Sequence, residues 1–454
     1  MSEKKHCQMP ALEDYLRTRS STPLGELLAL PAAQAEARGL VGLPREILQQ
    51  PWLYRETARR VLASAELAGF LAPTIGRGKR WVLCGAGSSN FLGEAIAPWM
   101  TRGLAQPVHA IASTDVLVTP ERLRDASEEP ALFLHFSRSG GTTEAIASLE
   151  LLRRLYPHAR HLAITCNGAS ALARAGAADE RSRALVLHPA SHDHGLAMTS
   201  SVTSMMVAGL TLAQRGPEAE SDECFLAQID RIAEAAERLI ERAPSLAQAL
   251  VAEDPLRLCA LGADALRATA KEACLKVTEL TDGAIASFSD SWLGVRHGPL
   301  SAVNERTLVI GSLSTSAYRR AYEIDFLREL ESKRLGARLA VVAPFRPTEL
   351  PESVRCVSFG PATTSGAEAA AGGEAIEDEL RPLVDILFSQ VLGLYASLHH
   401  GLTPDRPSRR GAIQRVVAGF QLHAWSAEAE LAPRPPQSGN AGRGIEAQRT
   451  PGRA

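Results

Sequence analysis

No apolar run in this chain reaches the roughly 18 to 20 residues that span a bilayer, and its start, Met1-Ser-Glu-Lys-Lys-His6, leads into no apolar signal core. The expected location is therefore cytoplasmic, with no membrane partner. No Cys-x-x-Cys pair occurs. The seven cysteines, at positions 7, 84, 166, 224, 259, 274 and 356, stand apart, which suits reduced, mostly buried thiols. Charge of one sign is also missing: the formal net charge is −2, with no long single-sign run. That leaves no basic footprint for nucleic acid. Nucleotide motifs are incomplete too. Gly85-Ala-Gly87-Ser-Ser-Asn90 places asparagine where a dinucleotide fingerprint needs its third glycine, and no Gly-Lys-Ser/Thr marks a Walker turn. NAD and ATP fit poorly, no cofactor is expected, and a small monophosphate fits better.

What the chain does have is length and alternation. Its 454 residues suggest two to three domains at about 150 residues each. After an amphipathic lead-in over about 24–70, short apolar runs alternate with helical stretches, the pattern of a parallel, doubly wound α/β sheet. Strands are expected at 80–84, 108–112, 131–136, 161–165 and 184–187. Helices are expected at 91–101, 142–156 and 199–214. A polar break at 216–222 precedes a long helical pattern at 223–241. The order then repeats, with 256–261 as a first strand, Gly262-Ala-Asp264-Ala as its loop, 307–313 as a third strand and Ser314-Thr-Ser316 as a serine-loop remnant. The halves read as diverged copies of one domain. We place a lead-in at 1–45, a first domain at 46–220, a second at 223–425 and a disordered Pro/Gly/Ser/Arg-rich tail at 427–454. Residues 361–379, rich in Ala, Gly and Glu, read as a loop insertion.

Two loops in the first half carry the chemistry of a phosphate cradle. His135-Phe-Ser137-Arg138-Ser139-Gly140-Gly141-Thr142-Thr143-Glu144 joins a strand pattern to a helical one, and Gly85-Ala-Gly87-Ser88-Ser89-Asn90 does the same one strand earlier. Short hydroxyls, close backbone approach and the N–H groups of a helix N-terminus all suit a phosphate dianion. Loops at the carboxyl ends of neighbouring strands can face one ligand. The second half has lost the Ser-x-Ser-Gly-x-Thr pattern, which assigns the phosphate to the first.

The second half offers Glu272, Lys276 and Glu279, spaced i, i+4, i+7 on one helical face with a cation between two carboxylates. That spacing fits either a solvated salt-bridged face or a carboxylate pair tuned apart for proton transfer. Downstream, His297 stands in Arg296-His297-Gly298-Pro299, on a turn where it is not ordinary helix-face packing. His192-Asp193-His194 fits a pocket rim or turn better than a metal site, and no metal is expected.

These four strings, in this order, resemble the paired phosphosugar-binding domains of the sugar isomerase (SIS) family, over roughly residues 22–425. Within it the chain is similar to the galactosamine-6-phosphate deaminase/isomerase branch, also labelled tagatose-6-phosphate ketose/aldose isomerase. Glu46-Ile-Leu-Gln-Gln-Pro51, Leu196-Ala-Met-Thr-Ser-Ser201 and Leu402-Thr-Pro-Asp405 support that branch. The isomerase domain of glucosamine-6-phosphate synthase shares the motifs, but Cys7 begins no glutaminase domain. The resemblance implies two tandem SIS domains, each a doubly wound parallel sheet flanked by helices. It implies that Ser88, Ser89, Ser137, Ser139 and Thr142 bind the phosphate of a sugar phosphate. Glu279 would shuttle the proton, supported by Glu272 and Lys276, and His297 would open the sugar ring. Gly87, Arg138, Thr199, Ser200 and Arg415 are expected around the substrate. An equivalent histidine of the synthase comes from the neighbouring subunit, which implies a homodimer. The synthase's final-segment lysine has no counterpart among Arg406, Arg409, Arg410 and Arg415, and arginine is a poor proton donor. The expected reaction converts galactosamine 6-phosphate to tagatose 6-phosphate and ammonia. A plain aldose/ketose isomerase and a non-catalytic sugar-phosphate sensor are the alternatives.

Overall fold

Near-continuous apolar strings such as Trp81-Val-Leu-Cys84 and Leu162-Ala-Ile164 are buried on both faces, as parallel strands covered by helices must be. The computed structural model describes residues 9–123, 129–336, 338–361, 376–417, 419 and 421–425, so the expected tail and most of the 361–379 insertion lie outside the described residues.

Two five-stranded sheets result. The first holds β1 (Lys79–Gly85), β2 (Val108–Ala112), β3 (Glu129–Ser137), β4 (Arg160–Thr165) and β5 (Ser182–Val186) in the order β2-β1-β3-β4-β5. The second holds β6 (Arg257–Gly262), β7 (Ala286–Ser291), β8 (Thr307–Ser312), β9 (Arg338–Ala343) and β10 (Arg355–Ser358) in the order β10-β9-β8-β6-β7. All pairings are parallel. Read along the chain, each sheet has the order 2-1-3-4-5, so the repeat expected from sequence is a repeat of topology. In this order the loops after the first and third strands flank the point where the winding reverses, the usual place for a ligand.

The repeat extends to backbone detail. Gly85 and Gly262 end the first strand of each sheet, and a Cβ on either would fall 2.3 Å from Ser89 O or 2.1 Å from Leu266 O. Two residues on, Gly87 has φ 56° and ψ −127°, and Asp264 has φ 53° and ψ −127°. Glycine adopts that conformation freely; aspartate is strained there.

One apolar cluster joins the sheets. It runs from Leu83 and Leu134 in the first to Leu258 and Leu308 in the second, through the helices Asp222–Val251 and Pro382–His399 packed between. Asp222–Val251 runs ten residues past the expected end at 241, through buried Pro244. A smaller cluster around Trp292, Phe326 and Val341 covers the other face of the second sheet. Among the described residues no helix is long and apolar enough to cross a membrane.

Candidate active site

Because β1 and β3 are hydrogen-bonded neighbours, their exit loops lie side by side at the sheet's carboxyl edge. Positive φ at Gly87 turns the first loop into the helix Ser88–Leu104, and only Leu275 Cδ2, 3.8 Å away, would meet a Cβ there. In the second loop Ser137 Oγ accepts from Gly140 N at 3.2 Å and Ser139 Oγ from Gly141 N at 3.2 Å. Their hydroxyl hydrogens remain available to an anion. Thr142 caps the helix Thr143–Leu155 through its backbone, with no side-chain cap bond. Gly140, at φ 58°, admits no side chain, since a Cβ would fall 2.2 Å from Ser170 Oγ.

The helix Ala265–Leu280 packs against the Ser88–Leu104 helix and brings the second half to this edge. Lys276 is fully buried, with Nζ 2.5 Å from Glu279 Oε2 and 3.4 Å from Glu272 Oε1. A solvated face is therefore excluded for this triad: a buried ammonium persists only where carboxylates neutralise it. Burial pushes Glu272 up to about 7, against the opposing pull of Lys276 and with Glu279 adding to the rise. Burial alone would lower Lys276, but Glu272 and Glu279 together hold it above its ordinary value. A carboxyl titrating near neutrality beside a second, one-fifth-exposed carboxylate is suited to proton transfer.

Several expected ligand residues are spent elsewhere. Ser88 donates to Glu272 Oε1 at 2.8 Å. Arg138 is buried, its guanidinium donating to the carbonyls of Gly195, Leu196 and Arg415 at 2.8 to 3.1 Å. Thr199 and Ser200 are fully buried beneath the edge: Thr199 Oγ1 donates to Glu46 Oε2, and the N–H groups of Thr199, Ser200 and Ser201 donate to Asp193 at 2.9 to 3.0 Å. An internal carboxylate thus satisfies the N-terminus of the helix Ser200–Leu212. Asp193 is committed to that role rather than to a rim. Arg415 donates to Asp193 O and, with His192, His194 and Arg406, lines a cavity of about 660 Å³ that none of the triad lines. Val416 follows it against the second loop, Cγ1 lying 3.8 Å from a Cβ built on Gly141. Ser89 is buried beside Ser88. His297 is exposed on the turn after edge strand β7, with no side-chain hydrogen bond among the described residues.

Sequence reasoning gave no role to Glu46 or Asp405, although both stood in quoted strings. Glu46 accepts from the N–H groups of His194 and Gly195, and Asp405 from those of Gly42 and Leu43. With Leu196 N donating to Asp405 O, the three branch strings meet in one buried knot tied to the second loop by Arg138. Burial, with Asp193 next, raises Glu46 to about 8.

In the second sheet, the counterpart serine loop is filled from within. Asp378 accepts from Thr315 N at 2.9 Å, Thr315 Oγ1 at 2.8 Å and Ser314 Oγ, while Ser314 N donates to Glu323. The donors that an anion would need are already satisfied.

Paired sheets of this order, one with open hydroxyl loops and the other with a buried Glu-Lys-Glu helix against them, define a phosphosugar-binding class. The SIS domain family matches residues 75–215, and the chain belongs to the double-SIS-domain sugar isomerase family. It is 38% identical over 387 residues to a Streptomyces coelicolor protein named AgaS, covering 84% of this chain and 94% of that one. It is 34% identical over 393 residues to D-galactosamine-6-phosphate deaminase AgaS of Escherichia coli, covering 84% and 95%. Tagatose-6-phosphate ketose/aldose isomerase from Escherichia coli, a crystal structure 30% identical, superposes with a TM-score of 0.73 over 88% of this chain and all of that one.

Proposed function

We propose that the chain is a sugar-phosphate isomerase/deaminase that converts galactosamine 6-phosphate and water to tagatose 6-phosphate and ammonia. The observation that carries this reading is the buried Lys276 held between Glu272 and Glu279, on a helix packed against the Ser88 loop. Similarity to proteins named as galactosamine-6-phosphate deaminases supports the choice of substrate.

The phosphate rests on Ser89, Ser137, Ser139 and Thr142, which orients the sugar toward the triad. His297, supplied across a homodimer, moves the proton of the C1 hydroxyl to the ring oxygen as the C1–O5 bond breaks, giving the open aldehyde. Glu279 takes the C2 proton and returns it to C1 through an enolamine, while a net proton passes from the C2 amine to the C1 oxygen, leaving a C2 imine. Water adds to that imine, and ammonia leaves as the C2 carbonyl forms. Glu272 and Lys276 form the supporting network of Glu279.

A second reading, plain aldose/ketose isomerisation, is favoured by the name of the superposed Escherichia coli structure. Incubation of purified protein with galactosamine 6-phosphate, glucosamine 6-phosphate and tagatose 6-phosphate separates the two. Ammonia released fastest from galactosamine 6-phosphate is the expected result. Interconversion of tagatose and galactose 6-phosphates without ammonia from either amino sugar selects the plain isomerase, and inactivity on all with tight binding selects a sensor.

A further inference from the structure

Ser88 opens the helix that follows the first hydroxyl loop, a position that suits a phosphate ligand, yet its hydroxyl is given to the other half of the molecule. Ser88 Oγ lies 2.8 Å from Glu272 Oε1, and that oxygen lies 3.4 Å from Lys276 Nζ, which reaches Glu279 Oε2 at 2.5 Å. A hydroxyl has one hydrogen, so the bond to Glu272 and a bond donated to a phosphate oxygen exclude each other. Glu272 has few other partners. Its side chain is almost wholly buried, and its second oxygen, Oε2, makes no hydrogen bond among the described residues. From the first half, Ser88 is the group that reaches this carboxylate.

We propose that Ser88 is a positioning residue of the proton-transfer triad, fixing Glu272 against Lys276, and that the phosphate is left to Ser89 and the Ser137–Thr142 loop. The physical consequence falls on Glu279. While Ser88 stabilises the ionised form of Glu272, Lys276 is shared between two carboxylates. Without that hydrogen bond Glu272 holds a proton more tightly and Lys276 turns wholly to Glu279, tying up the carboxylate that takes the C2 proton. The other charges nearby are Arg138, which acts on Lys276 from the second loop, and the Lys271–Glu94 pair between the same two helices. From the Pro382–His399 helix, Asp385 is already paired with Arg381 and His399 with Asp254.

This inference rests on the proton-transfer reading of Glu279, so its test has one arm that needs no turnover. In Ser88→Ala, kcat at neutral pH should fall about tenfold, the scale of one hydrogen bond to a charged group. KM and the inhibition constant of inorganic phosphate should stay within about threefold, and Ser88→Thr should restore kcat. A rise of about tenfold in KM and in the phosphate constant with kcat retained would overturn the proposal and make Ser88 a phosphate ligand. In the turnover-free arm, infrared titration of the carboxyl band lost in Glu272→Gln should give a midpoint about one unit higher in Ser88→Ala than in the native chain. An unmoved midpoint overturns the proposal even if the native protein turns over no sugar phosphate. Failure of the activity assay alone counts against the proposed function and not against this coupling. Should Ser88→Ala not fold, Ser88→Thr and Ser88→Gly carry the same titration, the first unmoved and the second raised; the reverse order overturns it.

Discussion

Gly87 and Asp264 hold the same backbone conformation in the two halves, within a few degrees in φ and identical in ψ, although only one of them is glycine. The strand-to-helix turn recurs in both halves, with the residue suited to it in only one of them. A non-glycine residue there stores of the order of 1–3 kcal/mol. Asp264→Gly should therefore stabilise the protein by about 1 kcal/mol, since the 3.5 Å pair with Arg319 that it removes is largely exposed. Gly87→Ala should destabilise by a similar amount. Chemical unfolding of both variants checks this, and a less stable Asp264→Gly would show the turn to be held by the aspartate itself.

Glu279→Gln keeps shape and removes the proposed base. Turnover should fall by at least about 100-fold with sugar-phosphate binding largely retained. Steady-state kinetics beside a binding titration decide it, and near-normal turnover would leave Lys276 with a purely structural pair of carboxylates.

His297 is exposed in the single chain, which fits a residue donated to a partner's site. Mixing inactive His297→Ala with inactive Glu279→Gln should then regain about a quarter of native activity, because half the dimers are hybrids with one intact site of two. No recovery after verified subunit exchange would place the histidine in its own chain's site.

Behind the second loop, His135 Nε2 and His161 Nδ1 lie 3.1 Å apart in the core. Burial holds His135 well below its ordinary range, with His161 and Arg153 adding to the effect, and burial with Arg153 lowers His161 to about 4. Unfolded histidines take up protons below about 6.5 while these resist, so the unfolded state binds more protons between pH 6.5 and 4. Stability is full above pH 6.5 and is lost as pH falls toward 4. His161→Gln should flatten that acid slope, measured by urea unfolding across the window; an unchanged slope would assign acid sensitivity to other groups.

Asp378→Ala strips the acceptor from Ser314 and Thr315 and leaves Arg381 with one carboxylate fewer. The expected loss is about 3 kcal/mol. Phosphate or sulfate should restore part of it by taking the vacated donors, a difference readable as an anion-dependent melting shift absent from the native chain.

Most strands were legible because a strand buried on both faces must be an apolar run, as 80–84 and 161–165 are. β7 was not. Ala286-Ser-Phe-Ser-Asp-Ser291 is an edge strand, only partly buried, and needs no such run. The long helix outran its expected end because Ala243, Pro244 and Ala247 are buried, and their packing offsets the hydrogen bond that proline removes. At the site, the triad could be read from i, i+4, i+7 spacing, which is local. The bond from Ser88 to Glu272 spans 184 positions and depends on how two helices pack, so no spacing rule reaches it. Glu46 and Asp405 were visible as strings and silent as to role, since their partners are backbone N–H groups brought near by the fold.

From the apolar cluster that runs through both sheets, one shared melting event is expected for the two halves. Neither half can open fully without exposing the helices that seal the other. A phosphate bound at the first sheet, as proposed, would then protect the second from unfolding to the same extent, by mass action on the whole chain. Resistance to proteolysis around β8 and β9, far along the sequence from any hydroxyl loop that is open, becomes a reporter of ligand bound beside β1 and β3.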